Sequence, residues 1–487
     1  MSWKETAEPV LSRMPNVARP EGHVPFRRKL GWTAGVLVLY FFLTNVTIYG
    51  LGGGSDAFGQ FRSILAGQQG SILQLGIGPI VTASIVLQLL GGANLLGLDT
   101  DDPRDQVLYQ GLQKLLVVVM VILTGLPMVF AGGFLTPDQQ VAQSLGIGLG
   151  GLQWLMFAQI FVGGILILFM DEVISKWGVG SGIGLFIIAG VSQRLIGGLF
   201  AVPGVTGSRG FLFSWYEIIV GETQLGPVLG GQGFQALLLE QGQLLFLFTT
   251  VLIFVVVVYA ESVRVEIPLS HARVKGARGR FPVKLIYASV LPMILVRALQ
   301  ANLQFLGQIL NNWWAGMPAW LGQYTQGQVT GGLFWYVAPI QSRQDWMWFL
   351  GFTSQEPAAI AVRVAIDLTF MIIGGAIFAI FWVETTGMGP EATAKQIQNS
   401  GMQIPGFRRN PQVVEKVMER YIPQVTVIGG ALVGLLAVMA NLLGTIGQVS
   451  GTGLLLAVSI TYKLYEEIAE EQLMEMHPMM RQMFGNE

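Results

Sequence analysis

The chain has 487 residues, of which 52% are hydrophobic and 12% are charged, and its net charge at pH 7 is -1. Soluble domains usually carry about 25% charged residues, so this composition excludes an ordinary soluble protein and indicates a polytopic membrane protein. Cysteine is absent and the three histidines lie outside the apolar runs. We therefore expect no disulfide, no metal site, no thiol catalysis and no cofactor.

Ten apolar runs follow one another along the chain, and most have the length of about 20 residues that a helix needs to cross the bilayer core. In lipid, each segment must satisfy its own backbone hydrogen bonds, so these runs are predicted to be helices. The predicted fold class is therefore an all-α polytopic membrane protein with ten transmembrane helices. The runs span approximately residues 30–50, 72–96, 107–131, 152–170, 183–200, 244–261, 285–310, 358–383, 423–443 and 449–468.

The 28 Lys and Arg residues are divided unevenly between the two sides of the membrane that this order of spans defines. Most of them lie on the side that holds both termini, whereas the opposite side holds Arg62, Arg194, Arg209 and Arg343. Because cytoplasmic loops carry the excess of positive residues, we expect both termini to be cytoplasmic.

Glycine and proline interrupt two spans at corresponding places. The second span contains "LGIGPIVTASIVLQLL" (75–90), and the seventh contains "SVLPMILVRALQANLQ" (289–304). Ten spans divide into two halves of five, and an odd number of spans per half makes the halves inverted and pseudo-symmetric. Broken segments at matching positions of inverted halves indicate a functional centre. The alternative is that both are ordinary proline kinks.

Three ionisable residues, Arg297, Arg363 and Asp367, fall inside predicted spans. Proton- and ion-coupled transporters usually carry more such residues, arranged as relays. Arg363 and Asp367 are four residues apart on the eighth span, so we expect a local ion pair that neutralises both. A role in binding a charged substrate is the alternative.

Two long basic loops lie on the predicted cytoplasmic side, at 261–284 and 384–422. In the first loop, four basic residues surround two glycines at the expected loop tip, where charge and backbone approach suit phosphate groups. This pattern predicts a docking surface for an anionic partner, and the alternative is a solvated face that only sets orientation. The four residues are Arg273, Lys275, Arg278 and Arg280.

Three long motifs closely resemble the SecY family, whose members are the central subunits of protein-conducting channels. They are "LGIGPIVTASIVLQLL", "GVGSGIGLFIIAGVSQ" (178–193) and "SGTGLLLAVSITYKLYEEI" (450–468). The stretches "PVLSRMPNV" (9–17) and "VPFRRKLGWT" (24–33) look like the archaeal branch. The resemblance covers essentially the whole chain. It implies a passive channel in the cell membrane, not an enzyme, which passes unfolded polypeptides with signal sequences and releases hydrophobic segments into the lipid bilayer.

The resemblance also implies a ring of six aliphatic side chains that constricts the channel midway across the membrane. A narrow aliphatic constriction disfavours a water column and so blocks ions. Independently of the resemblance, the i, i+4 spacing in spans two and five places each of those pairs on one helix face. The ring residues are Ile77, Val81, Ile183, Ile187, Ile294 and Leu456, with Leu455 as an alternative to Leu456.

Between spans two and seven, the resemblance implies a lateral gate with a polar seam formed by Thr82 and Asn302, which Gln88 is expected to join. The resemblance divides the chain into an N-terminal half (1–200), which contains a plug segment near 55–70 that closes the outer funnel, and a C-terminal half (244–468). The remaining segments are an outer hinge loop (201–243) and a cytoplasmic tail (469–487).

The implied partners follow from the same resemblance. The two basic loops match those that dock the ribosome, and Arg408 and Arg409 in "PGFRR" (405–409) belong to this docking set. SecE-like and small β subunits would complete a heterotrimer. The alternative function is a secondary transporter for a small solute, which would need coupling charges where the six ring positions are aliphatic. A membrane-embedded enzyme would need a polar catalytic cluster within the spans, and the sequence suggests none.

Overall fold

A computed structural model describes most of the chain, namely residues 8–9, 11, 13–22, 24–54, 56, 58–92, 96–97, 103–131, 134–203, 209–222, 231–271, 278–286, 291–314, 316–325, 328–341, 345–353, 355–399, 402–403 and 411–476. Ten long helices, labelled α1 to α10 in chain order, correspond in position to the ten predicted spans. They are α1 (Phe26–Asn45), α2 (Gly78–Gly92), α3 (Pro103–Phe130), α4 (Leu149–Trp177), α5 (Gly182–Phe200), α6 (Leu244–Ser262), α7 (Leu291–Trp313), α8 (Pro357–Thr385), α9 (Pro411–Leu443) and α10 (Gly451–Met476).

Seven of these helices, α3 to α9, are long and apolar enough to cross a membrane by length and composition. α2 has only 15 residues, because residues 72–77 form turns before the helix begins at Gly78. The all-α polytopic fold class is confirmed, and the count of ten spans stays a prediction with which the structure agrees. Shorter helices lie at Arg62–Leu65, Gln139–Ser144, Phe211–Val220, Gly231–Gln235, Leu333–Val337 and Pro390–Asn399, and a short π-helix at Ala236–Glu240.

The two halves meet along two lines of helix contact. Within the first half, α3 packs against α2 and α4, and α4 packs against α1 and α5. Within the second half, α9 packs against α8 and α10, and α10 packs against α6. Between the halves, α2 contacts α7 and α8 on one side, and α5 contacts α10 on the other. A single apolar core cluster extends through both halves.

The first basic loop is an antiparallel hairpin rather than an irregular loop. Strand β3 (Arg264–His271) pairs with strand β4 (Arg278–Lys284), and Ser270 lies opposite Arg278. Arg278 and Arg280, expected at the tip of an open loop, belong to β4 at the end of the hairpin next to the connection between the strands. Two adjacent extended segments of similar length can pair their backbone N–H and C=O groups with each other, which favours an antiparallel ladder over an open loop. Residues 272–277, which connect the strands, lie outside the described residues.

A third strand joins this hairpin to the second basic loop. Met402–Gln403 pairs antiparallel with the end of β3, at Ser270 and His271. The two basic loops, more than 100 residues apart in sequence, are thus parts of one small sheet. Two further strand pairs lie elsewhere. In chain-order numbering they are β1 (Leu51–Gly53) with β2 (Thr136–Pro137) and β5 (Gln323–Thr325) with β6 (Gln328–Gly331).

The end of α10 ties this sheet to the start of the chain. The carboxylate of Glu466 accepts hydrogen bonds from Arg264 at 3.0 Å and from Lys284, at the base of the hairpin. One and a half turns further along α10, Glu471 pairs with Lys29 at the start of α1. One helix therefore contacts elements of both halves on this side of the molecule.

Candidate functional site

The six ring residues lie in the shared apolar core, where α2, α5, α7 and α10 converge. The backbone N–H of Val81 donates to the carbonyl of Ile77 at 3.0 Å, so these two residues share one helical turn. Leu455 and Leu456 are both buried, so burial does not choose between them. Five ring residues are buried and one is half-buried: Ile77, Val81, Ile187, Ile294 and Leu456, and Ile183.

A cavity of about 280 Å³, here called the central cavity, lies between the two halves. Its lining includes three ring residues, Val81 from α2, Ile183 from α5 and Ile294 from α7. The structure therefore brings ring residues of both halves to one enclosed space. The polar side chains of the lining are Ser84, Gln88, Gln113, Ser181, Thr385 and Thr386, together with Tyr109.

Ile183 is held by a contact that the sequence did not suggest. The carboxylate of Asp171, on α4, accepts a hydrogen bond from the backbone N–H of Ile183 at 2.9 Å. This N–H lies in the first turn of α5, where N–H groups have no partner within the helix. A side chain at Gly182 would meet Asp171, because a Cβ there would lie 2.5 Å from the carboxylate oxygen. The glycine thus allows a carboxylate to fix the start of α5.

The predicted plug segment packs against the ring. The backbone N–H of Ile77 donates to the carbonyl of Leu65 at 2.8 Å, at the end of the short helix Arg62–Leu65. The hydroxyl groups of Ser63 and Ser450 lie 2.8 Å apart, which connects the plug segment to the start of α10. The segment therefore contacts both halves next to the ring, at the end of α2 away from the central cavity.

Buried polar bonds also hold the plug segment to its own half. The Tyr40 hydroxyl donates to the carbonyl of Ala66 at 2.8 Å. The Arg62 guanidinium donates to the carbonyl of Gln74 at 2.6 Å, outside the segment, and pairs at 2.6 Å with Asp56 inside it. These bonds give the buried Tyr40 hydroxyl and Arg62 guanidinium the partners without which their burial would be costly.

Thr82 and Asn302 meet across the contact between α2 and α7. The Asn302 side-chain amide donates to the Thr82 hydroxyl at 2.9 Å, and that hydroxyl donates to the carbonyl of Gly78 at 2.9 Å. Gln88 lies nearly two turns further along α2 and lines the central cavity instead. Its carboxamide oxygen has no hydrogen-bond partner among the described residues.

A network of buried polar groups occupies the C-terminal half. The Arg297 guanidinium pairs with Asp367 at 3.3 Å and donates to the Thr452 hydroxyl at 3.1 Å. It also donates to the Gln300 carboxamide oxygen at 2.6 Å. Arg297 lies about one turn from the ring residue Ile294, and Thr452 lies about one turn from the ring residue Leu456. The network thus connects α7, α8 and α10 beside the ring.

Arg363 pairs outside its own helix. It pairs with Asp345 at 3.5 Å and donates to the carbonyl groups of Ala338 and Pro339 at 3.3 and 3.2 Å. Its guanidinium also lies 4.8 Å from the ring centre of Trp335. The expected local pair of Arg363 with Asp367 is therefore wrong, because the outer loop and α7 bring other partners. Spacing on one helix could not reveal these partners.

The predicted docking residues are described only in part. The backbone of Arg278 and Arg280 lies in strand β4. The other four, Arg273, Lys275, Arg408 and Arg409, lie outside the described residues.

Two helical halves meet at a group of aliphatic side chains, with a short segment packed beside it, and this is the arrangement of a membrane channel. The comparisons identify the family. The SecY family model matches residues 71–465, and a model described as the plug domain of Sec61p matches residues 38–70. The chain therefore belongs to the SecY family.

Relatives and solved structures agree with this assignment. A protein translocase subunit SecY of Haloferax volcanii is 79% identical over 490 residues, with 100% of both chains covered. A structure reported as that of a protein conducting channel has a TM-score of 0.78 and 37% identity, and covers 96% of this chain and 98% of its own. Sec61 in a canine ribosome–channel complex from the endoplasmic reticulum has a TM-score of 0.75, with the same identity and coverage. The predicted resemblance is confirmed.

The buried pair Arg297–Asp367 yields a first prediction. Both side chains are fully buried, so Arg297→Met leaves an uncompensated carboxylate, which costs about 3–5 kcal/mol in comparable pairs. We expect Arg297→Met to lower the thermal stability of the purified channel strongly. The double variant with Asp367→Asn should recover a large part of that loss.

The matched control is Lys395→Met, which breaks the exposed pair Lys395–Glu391 and should change stability by about 1 kcal/mol or less. Thermal unfolding in detergent measures all of these variants. Additive losses in the double variant would contradict the assignment of a coupled buried pair.

Proposed function

We infer that this chain forms the pore of a protein-conducting channel, which passes unfolded polypeptides across the membrane and releases hydrophobic segments into lipid. The observation that carries this inference is the meeting of aliphatic residues from both halves at the central cavity. The plug segment packs against the same place. A passive seal supplies no energy, so the energy for translocation must come from a partner.

The ring is the proposed barrier to ions. Aliphatic walls offer water no hydrogen bonds, so a narrow constriction between them dries and blocks conduction. The same side chains offer no fixed hydrogen bonds to a passing polypeptide, so many sequences pass without being retained. Ile77, Val81, Ile183, Ile187, Ile294 and Leu456 are the residues to which we assign this role.

The proposed lateral gate lies where α2 meets α7 and α8. Thr82 and Asn302 form one neutral hydrogen bond across it, and such bonds within membranes contribute about 1–2 kcal/mol at most. A hydrophobic segment can therefore part the helices without breaking an ion pair. We propose that the halves 1–200 and 244–468 move about the connecting segment 201–243.

The proposed partners and orientation follow the same family. Both termini and the sheet of the two basic loops face the cytoplasm in this proposal, because those loops carry most Lys and Arg residues. The two basic loops would dock the ribosome through Arg273, Lys275, Arg278, Arg280, Arg408 and Arg409. SecE-like and small β subunits would complete the complex in the cell membrane.

A secondary transporter for a small solute is not supported. Such a protein would need coupling charges that face a substrate path at mid-membrane. Arg297 and Asp367 instead pair with each other inside the C-terminal half, and neither side chain lines the central cavity. That the chain catalyses no reaction stays a prediction.

The ring assignment predicts an ion leak. We expect Ile183→Asn combined with Ile294→Asn to leave the channel assembled and to let water enter the constriction, because polar walls remove the cost of wetting. Reconstituted channels should then show ion current without a translocating chain.

The matched control for the ring is Ile160→Asn, a buried position of α4 away from the central cavity. It should destabilise the channel without opening it to ions. A sealed but assembled ring variant would show that the ring residues only pack and that the pore closes elsewhere.

The gate assignment predicts a shift in the hydrophobicity that a segment needs for lateral exit. Asn302→Leu replaces the hydrogen bond across the seam with apolar packing and also removes a polar group that gains contact with water or client when the seam opens. We therefore expect the closed gate to be favoured by about 1 kcal/mol net. Marginal signal sequences should then insert less well, whereas strongly hydrophobic ones should be unaffected.

A series of reporters with graded hydrophobicity measures this threshold. Thr82→Ser keeps the hydroxyl acceptor and should leave the threshold in place. If Asn302→Leu leaves the hydrophobicity threshold for lateral exit unchanged or lowers it, Asn302 does not have the proposed role in the gate.

The docking assignment predicts electrostatic binding of ribosomes. Reversing Arg278, Arg280 and Arg408 to Glu should weaken binding, and wild-type affinity should fall as salt rises, because phosphate contacts release counterions. Lys395→Glu, on the nearby helix Pro390–Asn399, reverses one charge outside the proposed set and is the control for Arg278→Glu alone. Sedimentation with ribosomes over a salt series measures both effects. An affinity that changes neither with salt nor with the triple reversal would refute the docking role.

A further inference from the structure

Gln88 carries an unexplained acceptor at the contact between the halves. Its side chain is 5% exposed. Its carboxamide oxygen is shielded from water and has no hydrogen-bond partner among the described residues. Buried acceptors without partners are rare and unfavourable in folded proteins. One that lines a cavity between two movable halves therefore requires a reason.

Four other polar side chains of the central cavity make hydrogen bonds within the protein. The Ser84 hydroxyl donates to the carbonyl of Ile80 at 3.0 Å, and the Gln113 amide donates to Ser84 at 3.4 Å. Thr385 and Thr386 donate to carbonyl groups one turn back on α8. Gln88 lines the same space but has a buried oxygen with no hydrogen-bond partner among the described residues.

The position of Gln88 along α2 determines which groups can reach it. It lies seven residues after the ring residue Val81, toward the end of α2 that faces the cytoplasm in the proposed orientation. Ile294 and Leu295 of α7 line the same cavity. When α2 and α7 separate, the Gln88 oxygen is therefore exposed at the cytoplasmic part of the opened seam.

A client helix brings unpaired donors to this depth. The first four backbone N–H groups of any helix have no partner within the helix. A signal sequence keeps its positive amino-terminal region on the cytoplasmic side, so the first turn of its apolar helix enters at the cytoplasmic end of the seam. Unpaired N–H groups are costly in an apolar environment.

We propose that Gln88 accepts a hydrogen bond from a backbone N–H in the first turn of the client's apolar helix, which seats that turn in the central cavity. The proposal rests on the function inferred above and adds a residue that binds the client's backbone. It predicts that clients with a side-chain cap of their own depend less on Gln88, because a Ser before the helix already satisfies one of these N–H groups.

The test uses two reporter clients that differ only in the residue before the apolar helix, Ser or Ala, and follows their translocation in cells that carry the full channel. In cells that carry the Gln88→Met channel, we expect the ratio of Ala-reporter to Ser-reporter translocation to fall about five-fold below its value in wild-type cells. This is the size of one net hydrogen bond. Gln88→Glu keeps an acceptor and should retain passage of the Ala reporter.

Gln113→Met is the matched control, since it makes the same chemical change in the same cavity at a side chain that already has a partner. It should affect the two reporters equally. Equal losses for both reporters through Gln88→Met, or no loss for either, would overturn the proposal while leaving the channel function intact. If the wild-type channel passes neither reporter, the proposed function itself fails. Immunoblots of membranes verify that each variant accumulates.

Discussion

The contact between the two halves has to seal the membrane and still part for a polypeptide, and the rest of the structure depends on how this contact is made. Apolar side chains meet this demand because their attraction is proportional to buried area and has no direction. Val81, Ile183 and Ile294 come from three helices of two halves and face one cavity. They can separate without leaving a broken hydrogen bond, and they exclude water when they return.

Polar interactions are distributed in a way that fits this demand. The buried ion pair Arg297–Asp367 and the partly buried pair Arg62–Asp56 each lie within one half. The side-chain bonds described between the halves at the plug and at the gate join neutral groups, Ser63 with Ser450 and Thr82 with Asn302. Neutral bonds are weaker than charge-assisted ones, so each half stays rigid while the contact between the halves can open.

The sheet formed by the two basic loops has a direct mechanical connection to the ring. Arg264 and Lys284, at the base of the hairpin, hold Glu466 on α10. Leu456 lies on the same helix, and Glu471 further along it pairs with Lys29 at the start of the first half. A load on the sheet would therefore act on α10, which carries a ring residue and contacts both halves.

The sequence by itself determined the features that depend on local period and on the bilayer. The ten apolar runs and the expected side of both termini follow from spacing and charge, because a helix has a fixed repeat and a membrane a fixed thickness. The family resemblance added the ring positions, Thr82 and Asn302, and the i, i+4 spacing independently places two pairs of ring positions on one helix face each. The tertiary structure alone decided the partners of Arg363 and Asp367, the strand that joins the two basic loops, the grip of Asp171 on Ile183 and the unpaired oxygen of Gln88. These contacts join segments that are far apart in the chain, and a local sequence pattern does not predict which distant residue will be in contact.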